Sequence, residues 1–134
     1  MPSLRTAEVA RQAGVNVETV RYYERRGLIE RPAARRGAFR VYPAGVARRI
    51  RTIKRAQRLG FSLEEIRELL ELRLEDGARC RDVQLQAEHK VAEIEEKIRS
   101  LRTVKRELEA LASACRGEAP LAECPILEAL EPSS

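Results

Sequence analysis

Apolar and polar positions follow two regimes along the chain, short capped segments up to about Leu74 and one long unbroken stretch after it. In the first regime Thr6 reads as an N-cap and residues 7–13 as a helix, which Gly14 ends with a positive φ. Val15 packs into the turn, and Asn16 caps a second helix from Val17 to about Arg26, closed by Gly27. Two short helices with a glycine at the corner form a helix-turn-helix, with Ala13 and Val15 as small contacts between them. Leu28-Ile29 and Phe39–Tyr42 read as two short strands around the loop Arg31–Gly37, which makes a hairpin wing with a basic tip. A helix over Ala44–Leu59 offers Val46, Ile50, Ile53 and Leu59 for burial and carries Arg48, Arg49, Arg51, Lys54, Arg55 and Arg58 on its other face. Gly60 ends it, Phe61 packs back, and Ser62-Leu63-Glu64-Glu65 is a capping box opening a helix to about Leu74 with Ile66, Leu69 and Leu70 inward.

The second regime follows a turn at Glu75-Asp76-Gly77. From about Asp82 to Ala112 neither Gly nor Pro interrupts the helical pattern. Alternating steps of four and three pick out Cys80, Gln84, Ala87, Val91, Ile94, Ile98, Leu101, Lys105, Leu108, Ala112 and Cys115. The middle of that seam is apolar, as a coiled coil requires. A lone helix with so narrow a stripe cannot bury it within its own chain, so the pattern predicts a homodimer.

At 134 residues the chain is long enough for one domain plus an appendage. The expected division is a DNA-binding domain over 1–75, a linker and dimerisation helix over 76–113, and a loop with a short terminal helix over 114–134. Aromatic residues make up 4% and there is no Trp, which suits helices packed on one another. No run is long and apolar enough for a membrane span and none reads as a signal peptide, so the expected location is cytoplasmic. The net charge of +5 hides an asymmetry that points to nucleic acid. Residues 1–60 hold 15 Lys/Arg against 4 Asp/Glu, while residues 61–134 hold 11 against 17. The basic half is almost all Arg, whose planar fork suits phosphate and guanine.

Three cysteines in a reducing compartment read as ligands or reactive thiols, not as a disulfide framework. Cys80 and Cys115 are five heptads apart, roughly 52 Å along a helix, and both fall on the extrapolated seam. One chain cannot bring them to one metal ion. Two antiparallel helices would place Cys80 of one protomer opposite Cys115 of the other, twice by symmetry. Cys124 follows across residues 116–123, a segment with Gly and Pro able to fold back, and Pro125 starts a short helix over Ile126–Leu130. Each dimer would then hold two sites, each with two thiolates from one chain and one from the other. Three thiolates favour a soft ion accepting trigonal coordination, because structural zinc prefers four ligands. His89, the single His, lies roughly 13 Å along the helix from Cys80 and reads as a surface or packing residue.

The block from Val15 to Leu28, with Val20-Arg21-Tyr22-Tyr23-Glu24-Arg25-Arg26-Gly27 at its centre, resembles the recognition helix and wing entry of the mercury-resistance regulator (MerR) family. Similarity continues through Phe39-Arg40-Val41-Tyr42 and Gln57–Ile66. In the second half Leu74-Glu75-Asp76-Gly77, Ala87-Glu88-His89-Lys90 and Cys124-Pro125 are similar to its mercury-sensing branch. The resemblance implies a mainly α fold: a winged helix-turn-helix, a long antiparallel coiled-coil dimerisation helix, and a C-terminal metal-binding loop with a short helix. It also implies a homodimer on operator DNA between promoter elements. Such a dimer represses without metal and lets RNA polymerase open the promoter when Hg(II) on Cys80, Cys115 and Cys124 distorts the DNA. By position, Val17, Thr19 and Arg21 would meet the DNA from the second helix, with Arg21 suited to guanine. Tyr22 and Tyr23 would brace the backbone, Tyr23 being favoured for phosphate, and Arg36 and Arg40 would reach flanking phosphates from the wing. The nearest alternatives are a lead- or cadmium-responsive regulator of the same family and a DNA-binding thiol redox sensor. No Ser–His–acid set, paired acid/base group or phosphate loop suggests an enzyme.

Overall fold

The computed structural model describes residues 4–32, 35–37 and 39–132. The chain divides into two compact units, Met1–Gln86 and Ala87–Ser134, with the boundary inside one helix. In order, the elements are β1 (Leu4–Arg5), α1 (Thr6–Ala13), α2 (Val17–Arg25), β2 (Arg35–Arg36), β3 (Phe39–Tyr42), α3 (Val46–Arg58), α4 (Leu63–Leu72) and α5 (Cys80–Ala114). A single 3-10 turn at Leu121–Glu123 and α6 (Pro125–Leu130) follow.

Local chemistry explains the helix ends. The Asn16 side chain accepts the Thr19 N–H at 2.8 Å at the start of α2. Ser62 and Glu65 form the reciprocal box at the start of α4, with bonds of 3.1 and 2.8 Å. At the end of α2, Gly27 takes φ 75° and the Leu28 N–H closes back on the Tyr23 carbonyl at 2.9 Å. The same closing bond recurs after α1, from Val15 to Ala10, and after α3, from Phe61 to Ala56. In each case the residue after the glycine is apolar and turns back against the core, Leu28 completely.

That geometry corrects the expectation of a strand at Leu28-Ile29. Both residues are buried, yet neither pairs in a ladder, because the chain there is the closing turn of α2. The second partner of β3 comes from the other end of the domain. β1 pairs antiparallel with β3 through Leu4↔Tyr42 and Arg5↔Val41, and β2 pairs with its other edge through Arg35↔Arg40 and Arg36↔Phe39. The sheet order is β1-β3-β2. Because β1 carries the extended chain through Arg5, Arg5 rather than Thr6 is the N-cap of α1, and its N–H donates to Glu8 Oε1 at 3.3 Å. Ala33 and Ala34 of the expected wing loop lie outside the described residues.

Val9, Val20, Leu28, Ile50, Ile53 and Ile66 are fully buried with Tyr23 and Tyr42, and they tie α1, α2, β3, α3 and α4 into one core. Leu59 is not part of it, being 61% exposed. Nine residues beyond Ile50, it stands about 180° round the helix from the buried face, which Ala47 completes instead. In the second unit, Val91, Ile94, Ile98, Leu101, Val104 and Leu108 of α5 are exposed in the single chain. α5 is two residues longer at each end than the pattern suggested. At its start, Asp82 Oδ2 accepts the Arg79 N–H at 2.7 Å.

Candidate functional site

Helix α2 and the sheet enclose an open groove of about 790 Å³ whose walls carry five arginines, Arg5, Arg21, Arg25, Arg31 and Arg40. Val17 and Phe39 supply its apolar surface. A concave row of guanidinium groups on a helix-turn-helix is an anion site of the kind that takes a phosphate backbone. The Arg5 guanidinium lies 4.3 Å from the centroid of the Phe39 ring, so the start of α1 and the wing strand share one cationic corner. From the sequence neither Arg5 nor Arg25 is expected as a DNA contact, and Arg31 figures only as part of the basic wing loop. Arg5 enters only because β1 pairs with β3, a contact between residues nearly forty apart.

Of the residues expected to meet DNA, Val17 is half-buried at the groove and Arg21 is exposed, paired loosely with Glu18 at 3.7 Å. The Thr19 hydroxyl donates to Asn16 Oδ1 at 2.9 Å, which leaves its oxygen free to accept. Arg36 sits in β2 opposite Phe39. Arg40 points inward as well as out: its Nη1 lies 2.9 Å from Glu24 Oε2.

The adjacent tyrosines have different surroundings. Tyr23 is 2% exposed and gives its hydroxyl proton to Gln57 Oε1 at 2.7 Å, so its one donor is already committed. Tyr22 is 38% exposed, with the guanidinium groups of Arg25 and Arg26 within 6 Å of its ring centroid. Its hydroxyl accepts from Arg26 at 3.1 Å, which leaves its own O–H available to an outside acceptor.

Not every cation of α3 faces solvent for a partner. Arg49 Nε donates to the Leu28 carbonyl at 2.7 Å, holding the turn after α2, and Arg51 donates to the Gln12 carbonyl at 3.0 Å, holding the end of α1. These two arginines fasten the helix-turn-helix to α3. Arg48, Lys54, Arg55 and Arg58 remain exposed.

Tyr42 ties the wing strand to the recognition helix. Its hydroxyl donates to the Glu24 carboxylate. Burial pushes the Tyr42 phenol above its ordinary range, and the bond to Glu24 raises it further. Burial, and then the neighbouring Tyr22, raise Tyr23 in the same direction. A raised pKa means the folded state holds the proton more tightly than the unfolded chain does. The stabilisation is therefore complete below the unfolded phenol value of about 10 and is lost as pH climbs through the folded value. Melting temperature followed from pH 8 upward should fall above about pH 10, and Tyr42→Phe should flatten that fall.

The three cysteines are free thiols. Cys80 is the exposed first residue of α5 and borders an apolar hollow of about 440 Å³ that Leu69, Leu70 and Val83 also line. Cys115 directly follows the last residue of α5, and its Sγ accepts the Gly117 N–H at 3.4 Å. Cys124 directly precedes Pro125, the first residue of α6. Among the described residues, no three His, Cys, Asp or Glu side chains of one chain gather as a metal-binding group. His89 pairs with Glu93 at 3.1 Å on the exposed surface of α5.

Residues 4–72 match the family model described as MerR HTH family regulatory protein, and residues 47–111 match the one described as MerR, DNA binding. The chain is 43% identical over 122 residues to the mercuric resistance operon regulatory protein of Pseudomonas fluorescens, covering 91% of this chain and 83% of that protein. Its fold is similar to the crystal structure of the transcription regulator PbrR691 from Ralstonia metallidurans CH34 in complex with lead(II). There the TM-score is 0.85 at 34% identity, covering 96% of this chain and 99% of that one. It is also similar to the dual function transcriptional regulator MerR from Bacillus megaterium MB1 in complex with mercury(II) ion, with a TM-score of 0.72 at 38% identity over 95% of this chain and 98% of that one.

Proposed function

The chain belongs to the MerR family of helix-turn-helix regulatory proteins, a class of DNA-binding regulators and not enzymes, and from that premise we propose that it is a Hg(II)-responsive transcriptional regulator of mercury-resistance genes. It acts as a cytoplasmic homodimer on operator DNA between promoter elements. Without metal it represses; with metal it distorts the DNA and lets RNA polymerase open the promoter. Residues 1–75 form the DNA-binding part, 76–113 the linker and dimerisation helix, and 114–134 the metal-binding loop and its short helix.

One observation carries the metal reading. Cys80 opens an uninterrupted 35-residue helix and Cys115 follows its last residue, while the apolar stripe between them is exposed in the single chain. Pairing two such helices antiparallel covers the stripe and sets Cys80 of one protomer against Cys115 and Cys124 of the other. The donor chemistry fits the ion: three free thiols can supply three soft thiolates, and Hg(II) accepts such ligands. Each dimer would carry two such sites. A metal ion joining the two protomers is placed to shift one DNA-binding half against the other, which costs DNA only a few kcal/mol in twist and bend.

At the DNA, Arg21 and Thr19 face base edges from α2, with Val17 beside them, and Arg36 and Arg40 reach phosphates from the wing. Arg5, Arg25 and Arg31 complete the cationic groove. Of the two tyrosines, Tyr22 is the better phosphate donor, since Tyr23 would have to give up its bond to Gln57.

Lead is the second reading, favoured by the likeness to a lead(II)-bound regulator. Titration of the reduced dimer with Hg(II), following thiolate-to-metal charge-transfer absorption, tests both. The expected result is saturation at about one ion per protomer, resisting excess competing thiol and out of reach of Pb(II) or Cd(II) at equal concentration. Displacement of Hg(II) by Pb(II) would make lead the signal. Tight binding retained by Cys80→Ala would reduce the site to two cysteines of one chain.

A further inference from the structure

Glu24 is the acid lining the arginine groove, and the position is at first sight adverse. A carboxylate beside a phosphate backbone repels it, and burying one is costly unless charge and hydrogen bonds compensate. Its side chain is only 7% exposed. The compensation comes from one strand. Arg40 Nη1 donates to Oε2 at 2.9 Å, and the Tyr42 hydroxyl donates to Oε1. Both partners stand on β3, two residues apart and so on the same face of the strand, while Glu24 stands on α2. One carboxylate therefore links the recognition helix to the wing strand.

We propose that Glu24 is a positioning residue of the DNA interface: its carboxylate, gripped by Arg40 and Tyr42, fixes the wing strand and the Arg40 guanidinium against α2 so that helix and wing meet the phosphate backbone as one rigid surface. Arg40 keeps about a quarter of its side chain exposed, at 28%, and its other nitrogens remain for phosphate while one is held by Glu24. An arginine on a two-residue-wide hairpin would otherwise lose much side-chain freedom on binding, and the carboxylate removes that freedom in advance. The opposite electrostatic role would have Glu24 merely cancel Arg40 and weaken DNA binding.

The two roles predict opposite signs. The inference rests on the DNA-binding reading of the groove, which the wild-type chain checks separately. The probe is a duplex of about 30 base pairs selected from a random pool by the wild-type homodimer, with affinity measured across a salt series. Positioning predicts that Glu24→Ala weakens binding about tenfold and lowers the salt slope by about two per dimer, matching Arg40→Ala. The double variant should then be no worse than either single one. Glu24→Gln should retain affinity, because its amide oxygen accepts from Arg40 and its amide N–H₂ donates to the Tyr42 oxygen. Ile66→Val, in the core of α4 and away from the groove, is the control for stability: it should melt earlier yet keep the wild-type salt slope. Tighter binding by Glu24→Ala or Glu24→Gln, or an unchanged slope in a folded Glu24→Ala, would overturn the proposal. Failure of the wild type to bind any duplex would instead strike the DNA-binding reading itself.

Discussion

A chain carrying Ile94→Asp and Ile98→Asp is expected to sediment as a monomer and to lose operator affinity by roughly two to four orders of magnitude. Both residues lie on the exposed apolar stripe of α5, one helical turn apart, at the middle of the five-heptad span. Covering an aliphatic side chain of that size contributes about 1.5–3 kcal/mol. In an antiparallel pair the substitution removes four such groups and replaces them with four carboxylates near the two-fold axis, where they repel one another. The buried core of the first unit is built from residues such as Val9, Val20, Ile50, Ile53 and Ile66, and includes neither substituted position. Each monomer should therefore keep a folded winged helix-turn-helix and its weak grip on one half-site. What it loses is the second half-site, whose effective concentration the dimer sets at the millimolar scale. Sedimentation and an operator titration on the same preparation test this. A double variant that stays dimeric would show that another surface joins the protomers, and the antiparallel seam would be abandoned.

The same long helix shows why some of this was legible in the sequence and some was not. Helix caps and the heptad seam are local: Asn16, Ser62 with Glu65, and a 3.5-residue period can be read without knowing what lies elsewhere. Strand pairing is not local. Leu4-Arg5 is too short to carry a period, and its partner Val41-Tyr42 lies far along the chain. Leu28-Ile29 looked like a strand because it is apolar and follows a glycine. Its burial comes instead from the turn that closes α2. The arginines divide the same way. Their number and sign were legible and pointed to DNA, but their uses depend on the fold. Arg49 and Arg51 hold backbone carbonyls, Arg40 holds Glu24, and Arg5 reaches the groove through a strand that composition could not reveal. The cysteine arithmetic was available from spacing alone. Cys80 and Cys115 do mark the two ends of one helix.

That placement supports a prediction that one chain alone cannot imitate. Cys80→Ala homodimers and Cys124→Ala homodimers should each fail to hold Hg(II) against excess thiol, since every site lacks a ligand. Unfolding the two variants together and refolding them as a mixture should restore binding to roughly a quarter of the wild-type capacity. The reason is combinatorial. Random pairing makes half of the dimers mixed. In a mixed dimer the Cys80→Ala chain supplies Cys115 and Cys124, while the Cys124→Ala chain supplies Cys80, so one of its two sites is whole and the other has a single cysteine. The recovered sites should show the wild-type charge-transfer band and the same resistance to thiol. They should appear only after subunit exchange, and not on simple addition of two preformed dimers whose seams remain closed. If the Cys80→Ala variant alone holds the ion as firmly as wild type, the site lies within one chain. The link from metal to the relative placement of the two DNA-binding halves would then need another route.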